Sequence, residues 1–135
     1  MLTHYIKTYP LGLLVTLAIL VLSLAPIPEV PAVEDVPLAD KWTHMVMYAT
    51  LTLTIWWQYL RSHKCISWQR LIVLGVLAPA AWGGLMELAQ AYLTTYRSGD
   101  WWDFVANSIG VVIGVVLGLA MRVKVGGRDS KLNAQ

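Results

Sequence analysis

Four long apolar stretches separated by short polar ones set the pattern of this chain, at about 5–25, 40–60, 69–93 and 101–123. About 20 mainly apolar residues make a helix long enough to cross the hydrocarbon core of a bilayer. The pattern therefore predicts an all-α membrane protein with four transmembrane helices, residues 1–125 forming one domain and 126–135 a short tail. The first stretch has the basic start and apolar centre of a signal peptide. Pro26 directly follows the small-residue run Ser23-Leu24-Ala25 and disfavours cleavage, so an uncleaved anchor is expected. Pro26, Pro28, Pro31 and Pro37, with Glu29, Glu34 and Asp35 among them, then predict an extended loop, because proline fixes φ and lacks an N–H donor. Asp40 is the expected N-cap of the second helix. Pro79 is expected to kink the third, where Gly83 and Gly84 permit close packing. Ser98, Gly99 and Asp100 supply a turn and a cap before the fourth.

Composition agrees with lipid as the solvent. Of 135 residues, 57% are hydrophobic and 13% charged, where a soluble domain carries roughly 25% charged residues. The net charge of +2 says less than its distribution. Lysine and arginine cluster at Lys7, at Arg61, Lys64 and Arg70, and at Arg122, Lys124, Arg128 and Lys131. Basic loops stay in the cytoplasm, so both termini and the second-to-third connection are expected there. The tryptophans give the same orientation, with Trp42, Trp101 and Trp102 at the outer interface and Trp56, Trp57 and Trp68 at the inner one. The short basic tail serves as a topology anchor and argues against nucleic-acid binding. Cys65 is the only cysteine, which excludes an internal disulfide and a CxxC or zinc-cysteine pattern.

That topology collects the polar residues of the apolar stretches at the outer end. Asp40, His44 and Tyr48 recur in one-turn steps on the second helix. Glu87 and Gln90 lie one turn apart near the end of the third, and Arg97 on the loop that follows. Asp103, Asn107, Gly110 and Gly114 form one seam on the fourth. Charged groups inside a bilayer cost at least about 2.5–3.5 kcal/mol each, so they pair, face water or do chemistry. Lys41 and Arg97 could hold phosphate or carboxylate. His44 is a proton carrier, with Asp40 or Asp103 to orient it, and a desolvated Glu87 an acid or base. The candidate catalytic groups are His44, Glu87 and Asp103. The candidate binding groups are Asp40, Lys41, His44, Tyr48, Glu87, Gln90, Arg97, Asp100, Asp103 and Asn107.

Each group also has a plain structural role as a cap, an interfacial anchor or an interhelical hydrogen bonder. Asp40, His44, Glu87 and Asp103 have metal-ligand atoms, but no HExxH or di-iron ExxH spacing is present, so no metal and no cofactor are expected. Ser98 lacks the surroundings of a nucleophile elbow. Gly110, Gly114 and Gly118 make a small-xxx-small ladder, expected to pack within the monomer, with a homo-oligomer as the alternative.

The order Asp40-Lys41-x-x-His44-x-x-x-Tyr48, Gly84-x-x-Glu87-x-x-Gln90 and Arg97-x-x-Asp100-x-x-Asp103-x-x-x-Asn107-x-x-Gly110-x-x-x-Gly114 resembles the VanZ-like family of bacterial membrane proteins. The resemblance covers about 40–118. It implies a multi-pass protein of the bacterial inner membrane, in a family named for a member associated with resistance to the glycopeptide teicoplanin. It implies no settled reaction. The expected partners are a membrane lipid, a lipid-linked cell-wall precursor or a lipophilic glycopeptide, bound by the outward-facing polar groups. The rivals are an intramembrane hydrolase or transferase using His44 with Glu87 or Asp103, and a small transporter or scramblase.

Overall fold

The computed structural model describes residues 2–26, 37–96 and 99–132. The elements among them are helical. They are α1 (Leu2–Thr8), α2 (Pro10–Leu24), α3 (Ala39–Ser62), α4 (Trp68–Leu93) and α5 (Trp101–Leu132). α3, α4 and α5 run up, down and up, so the start of α3, the end of α4 and the start of α5 meet at one end. Two helical segments, Trp68–Leu93 and Trp101–Arg122, are long and apolar enough to cross a membrane. α3 is long enough, but polar groups interrupt its apolar surface. α2 is apolar, but its 15 residues span only about 22 Å.

The first apolar stretch is not one helix. It divides at Tyr9, with Pro10 at the start of α2. A proline is tolerated there, because its missing N–H would have no intrahelical partner. Both ends of α2 are held by buried glutamines. Gln58 of α3 accepts a hydrogen bond from Gly12 N–H at 2.8 Å, and Gln90 of α4 donates to the Ser23 carbonyl at 3.0 Å. These are backbone groups that a helix end leaves unpaired. Tyr96 hydroxyl also donates to the Leu24 carbonyl. Gln58→Ala is expected to cost about 1–2 kcal/mol by orphaning the Gly12 N–H. Thermal melting of the detergent-purified variant checks this, and an unchanged midpoint would show that Gln58 does not hold α2.

α4 is continuous but widens into a π turn at Val73–Leu77, just before Pro79. Proline has no N–H for the carbonyl four residues earlier, which here is Gly75. Trp56 Nε1–H donates to that carbonyl at 3.2 Å. A Cβ on Gly75 would stand 2.5 Å from Trp56 Nε1, so glycine is what admits the indole. Trp56 is therefore a core residue, 2% exposed, and not part of an interfacial belt. Trp42, Trp57, Trp68, Trp101 and Trp102 are all exposed.

The tightest packing joins α3 to α5. A Cβ on Gly110 would collide with the Met45 carbonyl oxygen, one on Gly114 would lie 2.6 Å from Thr52 Cβ, and one on Gly118 would lie 2.6 Å from the Trp56 ring. The glycine ladder thus packs within the monomer. Polarity is inverted relative to a water-soluble bundle. Thr52, Gln58, Glu87, Gln90, Asp103 and Asn107 are buried, whereas Leu14, Leu17, Leu85, Leu88, Val112 and Val116 are more than half exposed. α5 continues beyond the expected end at 123 to Leu132, so most of the expected tail at 126–135 is helical. The acidic proline stretch at 27–36 lies outside the described residues.

Candidate functional site

Three helix ends converge on one polar network. Asp40, Lys41 and His44 come from the first turns of α3, Glu87 from the end of α4, Asp103 and Asn107 from the first turns of α5, and Asp100 from the residue before it. The network is graded in depth. Asp40 and Asp100 side chains are 49% and 41% exposed and Lys41 22%, while those of Asp103 and His44 are 6% and 4% exposed. Asn107 is fully buried.

Lys41 closes the upper layer. Its ammonium donates to Asp100 Oδ2 at 2.7 Å and to Asp103 Oδ1, and lies 3.8 Å from Asp40 Oδ2. The lower layer is a chain. Asn107 Nδ2 donates to Glu87 Oε1 at 3.1 Å, and His44 Nδ1 is 2.9 Å from Asn107 Oδ1. His44 also approaches Glu87 Oε1 at 3.7 Å, Asp40 Oδ1 at 3.7 Å and Asp103 Oδ2 at 3.8 Å, all beyond hydrogen-bond range. Thus Asn107, and not a carboxylate, orients the imidazole. Gly83 makes the chain possible. A Cβ there would lie 3.2 Å from Asn107 Cβ and 3.3 Å from the Tyr48 ring.

Several expectations are revised. Asp40 does not cap α3. Leu38 occupies that position at φ 60, and Asp40 sits in the first turn, beside the positive end of the helix dipole. Asp100 does cap α5, its Oδ1 accepting from Trp102 N–H at 3.0 Å. Gln90 turns away from the network to hold α2. Tyr48 is 1% exposed and lies against Gly83, and its hydroxyl, like Glu87 Oε2, has no hydrogen-bond partner among the described residues. Lys41 is engaged by carboxylates, which removes it as a free anion-binding group. Arg97 lies outside the described residues.

The Lys41 ammonium and, secondarily, the Trp102 N–H hold the Asp100 carboxyl below its ordinary value of 3.8. A depressed carboxylate pKa contributes stability that is complete above the unfolded value and is lost as pH falls through the folded one. Asp100→Asn should therefore destabilise by a constant amount above about pH 5, with the difference vanishing at more acid pH. Parallel pH-melting curves of both proteins check this, and a difference that persists in acid would contradict the pairing.

Sequence reading overlooked one feature at the opposite end. His4, Tyr5, Tyr9, Tyr59, His63 and Arg70 help line a pocket of about 610 Å³ there. Tyr59 and His63 stack at 4.3 Å, one turn apart. That one-turn spacing was visible in the sequence, but the partners from α1 were not.

The fold and network define a helical-bundle protein with an apolar exterior and an acidic polar cluster at one end. No protein-family model matches the chain, and no solved structure matches it. An uncharacterized protein of the yeast Schizosaccharomyces pombe is 31% identical over 115 residues, covering 84% of this chain. The chain spans 65% of that curated relative's length.

Proposed function

We propose that the chain is a four-span membrane protein, of the kind the VanZ-like resemblance implies, whose polar end binds the head group of a membrane lipid or lipid-linked precursor. The observation that carries this reading is the inverted polarity, with apolar side chains outside and carboxylates, imidazole and amides gathered inside at one end. In water the exposed apolar faces of α2, α4 and α5 would be an aggregation surface; in lipid they are the expected solvent contact. α1 and α2 together supply the first crossing, and α3 the second. The basic residues put the termini in the cytoplasm and the polar cluster outside.

The chemistry of the rim narrows the ligand. Asp40 and Asp100 face outward, and Lys41 already serves Asp100 and Asp103. Such a rim suits hydroxyl or ammonium donors better than a bare phosphate. A relative in a yeast favours a ligand common to bacterial and eukaryotic membranes, hence a phospholipid over a bacterial wall precursor or glycopeptide. The test is lipid retention in detergent after reconstitution with defined mixtures of ethanolamine, choline and glycerol head groups. Wild-type protein is expected to enrich the ethanolamine or glycerol lipid over choline, and Asp40→Asn to lose that selectivity at unchanged folded abundance. Retained lipid matching the bulk mixture would sink the reading.

A further inference from the structure

We propose that the pocket at the end of the bundle remote from the acidic cluster binds a phosphomonoester, the doubly charged group carried by phosphorylated small molecules and by phosphatidic acid. The pocket lies where α1, the end of α3 and the first turns of α4 meet. Its volume of about 610 Å³ falls within the roughly 300–1,000 Å³ of small-ligand sites. His4 and Tyr5 come from α1, Tyr59 and His63 from the end of α3, and Gln69 and Arg70 from the start of α4. No carboxylate is among the residues that line it. Arg70 is a permanent cation, and the two imidazoles add donors when protonated. Basic pockets of this kind between membrane helices take phosphate-bearing heads.

The state of the arginines singles out Arg70. The Arg61 guanidinium lies 4.8 Å over the Trp57 ring, and that of Arg122 lies 4.5 Å over Trp68. Arg70 is exposed and has no ring, carboxylate or hydrogen-bond partner among the described residues. A guanidinium fork with its donors unused at the wall of a pocket matches the oxygens of a phosphate, which it binds in bidentate fashion. The backbone adds to it. The first intrahelical bond of α4 runs from Leu71 N–H to the Ser67 carbonyl, and Ser67 makes no side-chain cap. The N–H groups of Gln69 and Arg70 therefore have no helix partner, at the positive end of a 26-residue helix. Anions are favoured at such an end.

The α3 side of the pocket is held in place by its own bonds. Tyr59 is 1% exposed, and its hydroxyl accepts from Ser67 N–H at 3.0 Å and donates to the Ser67 carbonyl at 3.2 Å, clasping the connection from α3 to α4. His63 stacks on Tyr59, and its Nδ1 lies 3.1 Å from the Tyr59 carbonyl oxygen. A carbonyl only accepts, so Nδ1 carries a proton. The ring is thereby fixed, with Nε2 unbonded among the described residues. As the imidazolium it donates from Nε2 to a bound anion while Nδ1 keeps its partner. Val73 also lines the pocket and is 47% exposed, so an acyl chain has an apolar surface to follow along α4. The ammonium of an ethanolamine or choline head group, which suits the acidic end, finds no anionic partner here. The second negative charge of a monoester instead meets Arg70 and the imidazoles together.

Two binding measurements on the full chain test it. The detergent-purified protein is titrated with radiolabelled glycerol phosphate, and protein reconstituted in choline lipid doped with phosphatidic acid is assayed for the lipid it retains. Wild type is expected to bind one probe or both; the soluble ester marks a water-borne ligand and phosphatidic acid a membrane one. Arg70→Gln should weaken binding about 10–100-fold, the worth of a hydrogen bond to a charged group, at unchanged melting temperature. Arg70→Lys keeps the charge but loses the fork, and should fall between. His63→Gln should weaken binding as well, which keeps the site testable on a second element. Arg61→Gln removes the same charge from an arginine already seated on Trp57, and should bind as wild type. So should Asp40→Asn, at the other end of the bundle. Binding of neither probe by wild type would overturn the proposal. So would equal loss in Arg61→Gln, the mark of a general basic surface, or loss in Asp40→Asn, which would put the phosphate at the acidic end.

Discussion

Gly110→Leu is expected to abolish the folded bundle, and even Gly110→Ala to destabilise it. Helix propensity points the other way, since alanine in a helix interior is better than glycine by about 1 kcal/mol. The collision decides the sign. A Cβ at Gly110 runs into the Met45 carbonyl and comes within 3.1 Å of Ala49 N, and both are main-chain atoms that cannot swing aside. Relief requires α5 to back away from α3, opening the packing at Gly114 and Gly118 as well. Overpacking of this kind costs about 1–3 kcal/mol and sometimes more, enough to outweigh the propensity gain. Gly84 provides the opposite sign in the same protein. A Cβ there meets only the Phe104 ring, at 3.4 and 3.8 Å, so Gly84→Ala should stabilise by up to about 1 kcal/mol. Melting temperatures in one detergent compare the two. Stabilisation by both would show that α3 and α5 do not meet as closely as described.

The second large effect belongs to Asn107. Asn107→Leu removes the hydrogen bond that Glu87 Oε1 receives and the one that His44 Nδ1 donates. Removing a neutral hydrogen-bond partner from buried polar groups leaves them unsatisfied, at about 1–3 kcal/mol each and more where the group is charged. Most of that cost is the stranded Glu87 carboxyl, so removing it should restore stability. Asn107→Leu combined with Glu87→Met is expected to be more stable than Asn107→Leu alone, because replacing both partners with apolar groups can be nearly neutral. A double-mutant cycle measures the coupling, expected at about 1–3 kcal/mol. Simple additivity would mean that Asn107 and Glu87 do not share a bond. Neither double-mutant outcome bears on ligand binding, since the network can be structurally costly and functional together.

How much of this was legible in the sequence depends on the kind of signal. The apolar periods gave α3 and α4 to within about two residues and the start of α5, though not its end at Leu132, and the one-turn steps placed His44 below Asp40 and Asn107 below Asp103. The 4-residue glycine spacing implied a close helix pair, though not which helix would fill it. What could not be read is direction across helices. Gln90 carries the same spacing signal as Glu87, yet it faces α2, because a helical repeat fixes a face only to within a turn and the neighbour decides the rest. Asp40 looks like a cap from its position, but the cap falls two residues earlier, at Leu38. Trp56 and Trp57 are adjacent and identical in type, and only packing against Gly75 and Gly118 makes the first a core residue. Gln58 was unreadable for the same reason, since its partner is a backbone N–H far away in sequence. The break at Tyr9–Pro10 was hidden by hydropathy, which does not register that a proline can start a new helix within an apolar run.

The acidic cluster is the centre of the account, and its claim is positional: a membrane ligand meets this chain at the joined ends of α3, α4 and α5. Photo-crosslinking with a lipid carrying a reactive group on its head, followed by peptide mapping, tests that directly. The account predicts labelling concentrated within 40–44 and 99–107, reduced by Asp40→Asn and competed by unlabelled lipid of the same head group. Labelling spread evenly along both ends of the bundle, or concentrated at the opposite end around Tyr59 and Arg70, would contradict it.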